Sequence, residues 1–242
     1  MNDMCGTRVV ITGGSSGIGL ATAKLLASRG ATVTIASRSR KKLDRAKEQI
    51  GVSCRAEVLD VTDEAAVKAF FDDVGSFDHL VTSAAGSAVG PFLELETQVA
   101  RDLIESKLWS QYNSAKYAAP HLSRAGSITF LSGIVSRKAI PGGSSFAIVA
   151  GAMEALTRVL ALELAPLRVN CLAPGQIETP VWWDLLPDDA QRDEFLGGLI
   201  AKLPVGRIGT DWEAANAVAF LIGNGFMSGS VTDLDGGLRV AF

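Results

Sequence analysis

The feature that most constrains this chain is a glycine-rich turn set between an apolar strand-like run and a helix-like run near its start. Arg8-Val9-Val10-Ile11 is β-branched and apolar, as a buried strand is. Thr12-Gly13-Gly14-Ser15-Ser16-Gly17-Ile18-Gly19 follows. Ile18, Ala21 and Leu25 then recur at helical spacing on one face, and Gly30 ends the run. Glycines let a backbone turn tightly and approach a pyrophosphate closely. The helix beyond offers unpaired N–H groups and the positive end of its dipole. The spacing of Gly13, Gly17 and Gly19 is wider than the usual dinucleotide fingerprint, and glycines alone also suit an ordinary tight turn. Their position directly after an apolar strand, with Thr12 before them, favours the nucleotide.

Strand-like and helix-like runs alternate through most of the sequence. Strands are expected at 32–35, 56–59, 79–82, 127–131, 167–172 and 230–234, and helices at 41–49, 64–72, 98–122, 146–164 and 212–222. Near-continuous apolar strands joined by helices imply a parallel sheet covered on both faces, and right-handed crossovers make it doubly wound. Only the segment 175–205, with Trp182, Trp183 and several prolines, breaks the rhythm. With 242 residues, 48% of them hydrophobic and 20% charged, the chain can bury one large core, and the expectation is a single domain over 1–242. A net charge of −3 gives no basic footprint for nucleic acid. No uninterrupted apolar run reaches the roughly 18 residues that span a bilayer, so no membrane partner is expected. Cys5, Cys54 and Cys171 are widely spaced, forming neither a metal-ligand cluster nor a disulfide framework. They fit small buried hydrophobes in a reducing cytoplasm.

The glycine turn resembles the nucleotide-binding loop of the short-chain dehydrogenase/reductase family. Further motifs follow in the family's order: Leu59-Asp60-Val61, Asp78-His79-Leu80-Val81, Arg168-Val169-Asn170 with Ala173-Pro174-Gly175 and Thr179, and Asp235-Gly236-Gly237. The family's Asn-Asn-Ala-Gly is replaced by Ser83-Ala84-Ala85-Gly86. The resemblance implies an α/β fold, a Rossmann-type doubly wound parallel sheet of about seven strands with helices on both faces. It also implies a homotetramer or homodimer, and cofactor contacts from Gly13, Ser15, Ser16, Gly17, Ile18, Gly19, Asp60, Val61, Ala84, Ala85, Pro174, Gly175 and Thr179. The choice of nicotinamide cofactor is read from residues. An acid at the end of the second strand would bind a ribose 2′-hydroxyl and repel a 2′-phosphate. Here Ser37 is followed by Arg38, Ser39, Arg40, Lys41 and Lys42, which suits a phosphate held by an Arg fork, with Ser37 and Ser39 assisting. NADP(H) is the expected cofactor; the other reading of the basic run is a solvated helix start.

The resemblance also implies a catalytic Asn, Ser, Tyr and Lys, and the matching positions read Lys107, Gly133, Phe146 and Ala150. Phe carries no acidic proton and Ala no charge, so this pair cannot perform the expected acid–base step. Ser132 stands beside Gly133 and serves if the strand end shifts by one. Lys107 is long enough to supply the missing cation from the opposite wall; its alternative is a surface lysine. Arg137 and Lys138, just past Gly133, suit either a carboxylate clamp or solvent. The segment 176–204, with Trp182, Trp183, Leu185, Leu186 and Phe195, matches the family's substrate lid and suits a bulky hydrophobic ligand or a subunit contact. Leu156, Val159, Leu160 and Leu162 give their helix apolar surface on more than one side, for a core or an interface. Three functions remain open. One is an NADP(H)-dependent oxidoreductase with a non-standard proton source, acting on a carbonyl, iminium or activated C=C acceptor. The others are an inactive cofactor sensor or partner subunit, and a non-redox isomerase or cyclase.

Overall fold

The computed structural model describes residues 3–84, 86, 88–180, 182 and 188–241. Seven strands form one parallel sheet: β1 (Arg8–Thr12), β2 (Thr32–Ser37), β3 (Cys54–Val58), β4 (Phe77–Thr82), β5 (Leu122–Leu131), β6 (Arg168–Pro174) and β9 (Val231–Leu234). Their order across it is β3-β2-β1-β4-β5-β6-β9, the doubly wound arrangement expected of apolar strands alternating with helices. Two short strands, β7 (Ile177–Glu178) and β8 (Gly209–Thr210), pair apart from it.

One face of the sheet is covered by α1 (Gly17–Ser28), α2 (Arg40–Ile50) and α8 (Asp211–Gly223), around a core holding Ile11, Leu26, Ile35, Leu43 and Leu221. The other is covered by α3 (Glu64–Val74), α5 (Ser110–Ala118) and α6 (Ser144–Glu163), around Phe71, Leu80, Ile128, Phe130 and Met153. Ser39 caps α2 and Asp63 caps α3, each accepting a first-turn N–H. Thr210 and Glu213 close a reciprocal capping box on α8, where the Arg207 guanidinium and two local donors hold the Glu213 carboxyl down to about 2. The Arg168-Val169-Asn170 run stitches the last strand to the sheet. The Arg168 guanidinium donates to the Leu221, Ile222, Asn224 and Met227 carbonyls, and Asn170 bridges Met227 and Ser230.

The single long helix expected over 98–122 is instead four pieces. α4 (Thr97–Ile104) passes into a π-helical turn (Glu105–Trp109), then α5, and a 3-10 turn at Ala119–His121 follows, where Pro120 cannot continue the helix. The segment 175–205 contains α7 (Asp189–Ile200) besides β7. Mean hydropathy reaches 1.6 within α6, enough in length and composition to cross a membrane. In this fold α6 packs on β6 and carries the buried, ion-paired Glu154, as a core helix does.

Candidate functional site

The sheet order reverses between β1 and β4, so a crevice opens beyond Thr12 and Thr82, where doubly wound proteins bind ligands. The glycine turn lines this crevice. Gly13 takes φ +77°, and a Cβ there would lie 2.3 Å from the Ala84 nitrogen, so only glycine fits. A Cβ on Gly19 would lie 2.4 Å from the Gly13 carbonyl oxygen, so α1 can close on the turn only as it does. Ser16 begins α1 in extended conformation without a side-chain cap, and no acid stands in the first turn. That end keeps its unpaired N–H groups and its positive dipole, as an anion site requires.

Farther along the sheet, Ser37 ends β2. Its Oγ is buried and has no hydrogen-bond partner, a polar atom awaiting one. Arg38 beside it is exposed and enters no hydrogen bond or ion pair among the described residues; its charge acts on Asp60. Asp60 is held below the usual carboxylate range, first by the Thr62 N–H and then by the Thr62 hydroxyl, with Arg38 adding a smaller pull. Val61 is buried. Ser39 is engaged as the α2 cap, accepting from Lys42 N–H at 3.3 Å. Arg40, Lys41 and Lys42 fall in the first turn of α2 with no acid there, adding cations to an end that is already positive. Thr179 lies over the turn: its Cγ2 would be 3.3 Å from a Cβ on Gly17. Gly175 beyond Pro174 donates to the Leu234 carbonyl at 2.9 Å. These residues fit a nicotinamide dinucleotide: a glycine cradle, an uncapped helix N-terminus and an orphaned hydroxyl beside a free guanidinium. Ala85 lies outside the described residues.

The structure brings Lys107 and Phe146 together. Lys107 sits in the middle of the π turn, and its Nζ stands 5.6 Å from the centre of the Phe146 ring. The residue is partly covered. Burial pushes its pKa down, Cys171 opposes this weakly, and no carboxylate pairs with it among the described residues. Ala150, one turn below Phe146, is 1% exposed. Gly133 is extended and roomy; a Cβ there would meet only Val135, at 3.8 Å. Ser132 is buried, and its hydroxyl turns to the Leu172 carbonyl at 3.5 Å. Ser145 donates to the Ala88 carbonyl at 3.0 Å, tying the start of α6 to the loop after β4.

Arg137 is neither a free clamp nor a solvated side chain. It pairs with Glu154 at 3.3 Å and with Asp233 at 2.8 Å. Lys138 donates to the Ala241 carbonyl. In the segment 176–204, Trp182 donates to the Ile177 carbonyl at 2.9 Å, and its ring stands 5.8 Å from Phe195. Trp183, Leu185 and Leu186 lie outside the described residues. The sequence reading missed Gln111, which is 1% exposed and hydrogen-bonded to both Thr82 and the Lys107 carbonyl. The available signal was its position four residues after Lys107, on the same helix face.

A doubly wound sheet with a glycine cradle at its switch point defines a dinucleotide-binding α/β protein. The family model described as Enoyl-(Acyl carrier protein) reductase matches residues 13–239. A cis-4-hydroxycyclohexanecarboxylate dehydrogenase of Sinomonas cyclohexanicum is 36% identical, over 94% of each chain. A 3-oxoacyl-[acyl-carrier-protein] reductase of Thermotoga maritima is 32% identical, over 96% of this chain and 97% of its own. Among solved structures, a small-chain dehydrogenase in complex with NADPH superposes with a TM-score of 0.85 at 36% identity, covering 97% of this chain and 99% of its own. The chain belongs to the short-chain dehydrogenase/reductase family of nicotinamide-dependent oxidoreductases.

Proposed function

We propose that this protein is an NADP(H)-dependent reductase whose site departs from the family's usual catalytic set and uses Lys107 as its cation. The observation that carries the reading is Lys107 itself. Its ammonium, with no acid partner among the described residues, faces Phe146, and Phe146 and Ala150 stand where the resemblance expects Tyr and Lys. An ammonium with a lowered pKa gives up its proton more readily than a free lysine. Ser37 and Arg38 support the 2′-phosphate: an unpartnered buried hydroxyl and a guanidinium without an ion pair stand at the end of β2. The glycine turn would hold the pyrophosphate, and Pro174, Gly175 and Thr179 the nicotinamide end. When bound, NADPH supplies a hydride to an acceptor carbon; the protein's task is alignment and charge.

Phe146 and the open space at Gly133 leave the acceptor side without the usual hydroxyl donors. That favours acceptors needing little protonation, such as an iminium or an activated C=C bond, beside a bulky carbonyl that draws its proton from Lys107 through water. Trp182 and Phe195 stand together in the segment 176–204 as an apolar, aromatic pair, which suits a bulky hydrophobic ligand. NADPH oxidation across a panel of cyclic iminium ions, activated alkenes and bulky ketones tests the reading. Turnover lost in Lys107→Ala, with NADPH still bound, supports it. Tight NADPH binding with no turnover across the panel favours a sensor or partner subunit, and product without a change in NADPH absorbance favours a non-redox enzyme.

We further propose a cytoplasmic homo-oligomer, dimer or tetramer. Cys5, Cys54 and Cys171 are unpaired; Cys54 and Cys171 are buried as expected, whereas Cys5 is exposed. Leu156 and Leu160 pack into the core, whereas Val159 and Leu162 remain exposed, as do Trp109, Tyr112, Trp212, Phe220 and Phe226 on other elements. Sedimentation at micromolar concentration measures the state; a monomer at all concentrations contradicts it.

A further inference from the structure

We propose that Gln111 is the positioning residue of this site: it holds the wide turn Glu105–Trp109 and so fixes where Lys107 points. The inference rests on the reading of Lys107 as the site's cation. In a π turn the backbone bond skips one residue further than in an α-helix; here Ser110 N–H donates to the Glu105 carbonyl. The extra residue displaces the following carbonyls from their ordinary partners. The Lys107 carbonyl accepts from Gln111 Nε2 at 2.8 Å. The other Nε2 bond goes to the Leu131 carbonyl at 3.0 Å. Gln111 Oε1 accepts from Thr82 Oγ1 at 2.6 Å and from Leu131 N–H at 3.1 Å. Two donors and two acceptor sites are all that a glutamine side chain possesses, and each is used.

The place of these bonds gives Gln111 its meaning. β4 ends at Thr82, paired with Phe130, while β5 runs on to Leu131. The N–H and carbonyl that Leu131 turns toward the missing strand are taken by Gln111 instead. Thr82 leads directly into Ser83 and Ala84, the backbone that touches Gly13. One buried amide therefore links the glycine cradle, the end of β5 and the turn that bears Lys107. The serines of this helix add flexible support: Ser110 Oγ donates to the Ser106 carbonyl and Ser114 Oγ to the Ser110 carbonyl, both at 2.7 Å. Neither reaches the Lys107 carbonyl. Only a side chain of this length with both donors and acceptors satisfies the whole junction: asparagine is a methylene short, glutamate lacks the donors when ionised, and methionine lacks everything but bulk.

The test labels the native full-length protein with an amine-selective acylating reagent over a pH series and follows the Lys107 peptide by mass spectrometry. NADPH affinity is measured in parallel. In the unmutated protein the Lys107 labelling midpoint is expected below that of exposed Lys41. In Gln111→Met it is expected to rise by about one pH unit, as the ammonium swings toward water, with NADPH affinity held within about threefold. An unmoved midpoint overturns the proposal. So does a midpoint that rises only together with loss of NADPH binding, the mark of general damage. Should Gln111→Met fail to fold, Gln111→Asn decides: it stays neutral and keeps donors and acceptors but falls a methylene short of the junction, so a raised midpoint supports the proposal and an unchanged one overturns it. A Lys107 that labels like Lys41 in the unmutated protein refutes the reading of Lys107 itself and the role of Gln111 with it.

Discussion

The two ends of the crevice are made of different material. At the dinucleotide end the decisive approaches belong to the backbone: Gly13 against Ala84, Gly19 against the Gly13 carbonyl, and the uncapped start of α1. At the proposed acceptor end the groups that matter are side chains, Lys107 and Phe146 together with the small Ala150. A backbone site tolerates almost no change, because each glycine that it needs excludes the other residue types on steric grounds. A side-chain site can be refitted one residue at a time on an unchanged scaffold. In the proposed reading this is what the chain records: a fixed cradle opposite a rebuilt acceptor wall.

The sharpest way to break the contrast is Gly13→Val. A β-branched residue at φ +77° with its Cβ against the Ala84 backbone is expected to cost about 4 kcal/mol and to abolish NADPH binding. A melting curve and a titration check both; a variant that is stable and binds NADPH would remove the backbone from the explanation.

Away from the crevice-facing strand ends, His79 bonds to the Ser127 hydroxyl at 2.9 Å across β4 and β5. Burial first, then the nearby Arg168 charge, pushes its pKa down to about 4. The folded state resists protonating it while the unfolded state accepts the proton near pH 6.5. Its contribution to stability is therefore intact above that value and is lost as pH falls toward 4, by up to about 3 kcal/mol. Urea melts at a series of pH values should show that loss, and His79→Gln should flatten it. Equal slopes for both proteins would show that His79 titrates as a free residue.

Smaller effects separate the two ends more finely. Lys107→Ala is expected to lower NADPH-dependent turnover about a hundredfold while changing NADPH affinity by less than about threefold. Turnover measured against calorimetric affinity tests this split, and equal losses in both would assign Lys107 to the cofactor instead. Arg38→Ala is expected to weaken NADPH about tenfold and leave NADH unchanged. Parallel titrations check that difference, and an equal loss for both cofactors would exclude a contact to the 2′-phosphate.

The sequence makes the two ends unequally legible, for the same physical reason. Backbone sites announce themselves through glycine placement and hydrophobic period, so the first strand, the turn and α1 stand within a residue or two of expectation. The expected unbroken helix over 98–122 carries a helical period throughout, and periodicity is blind to the turn inserted at Glu105–Trp109. Gln111, which donates to the Lys107 carbonyl in that turn, is itself bonded to Thr82 and Leu131, far away in sequence. Arg137 shows the same limit: its partners are Glu154 and Asp233, the latter 96 residues away, and no local pattern contains them. Ser132 is legible as a hydroxyl, whereas its rotation onto the Leu172 carbonyl follows from β5–β6 pairing.

The most direct measurement is a calorimetric titration of NADPH and of NADH into the purified, cofactor-free protein. NADPH binding at least about tenfold tighter than NADH is the expected result, from the free Arg38 guanidinium and the orphaned Ser37 hydroxyl. Binding of neither, or a preference for NADH, would contradict a working NADP(H) cradle at the switch point.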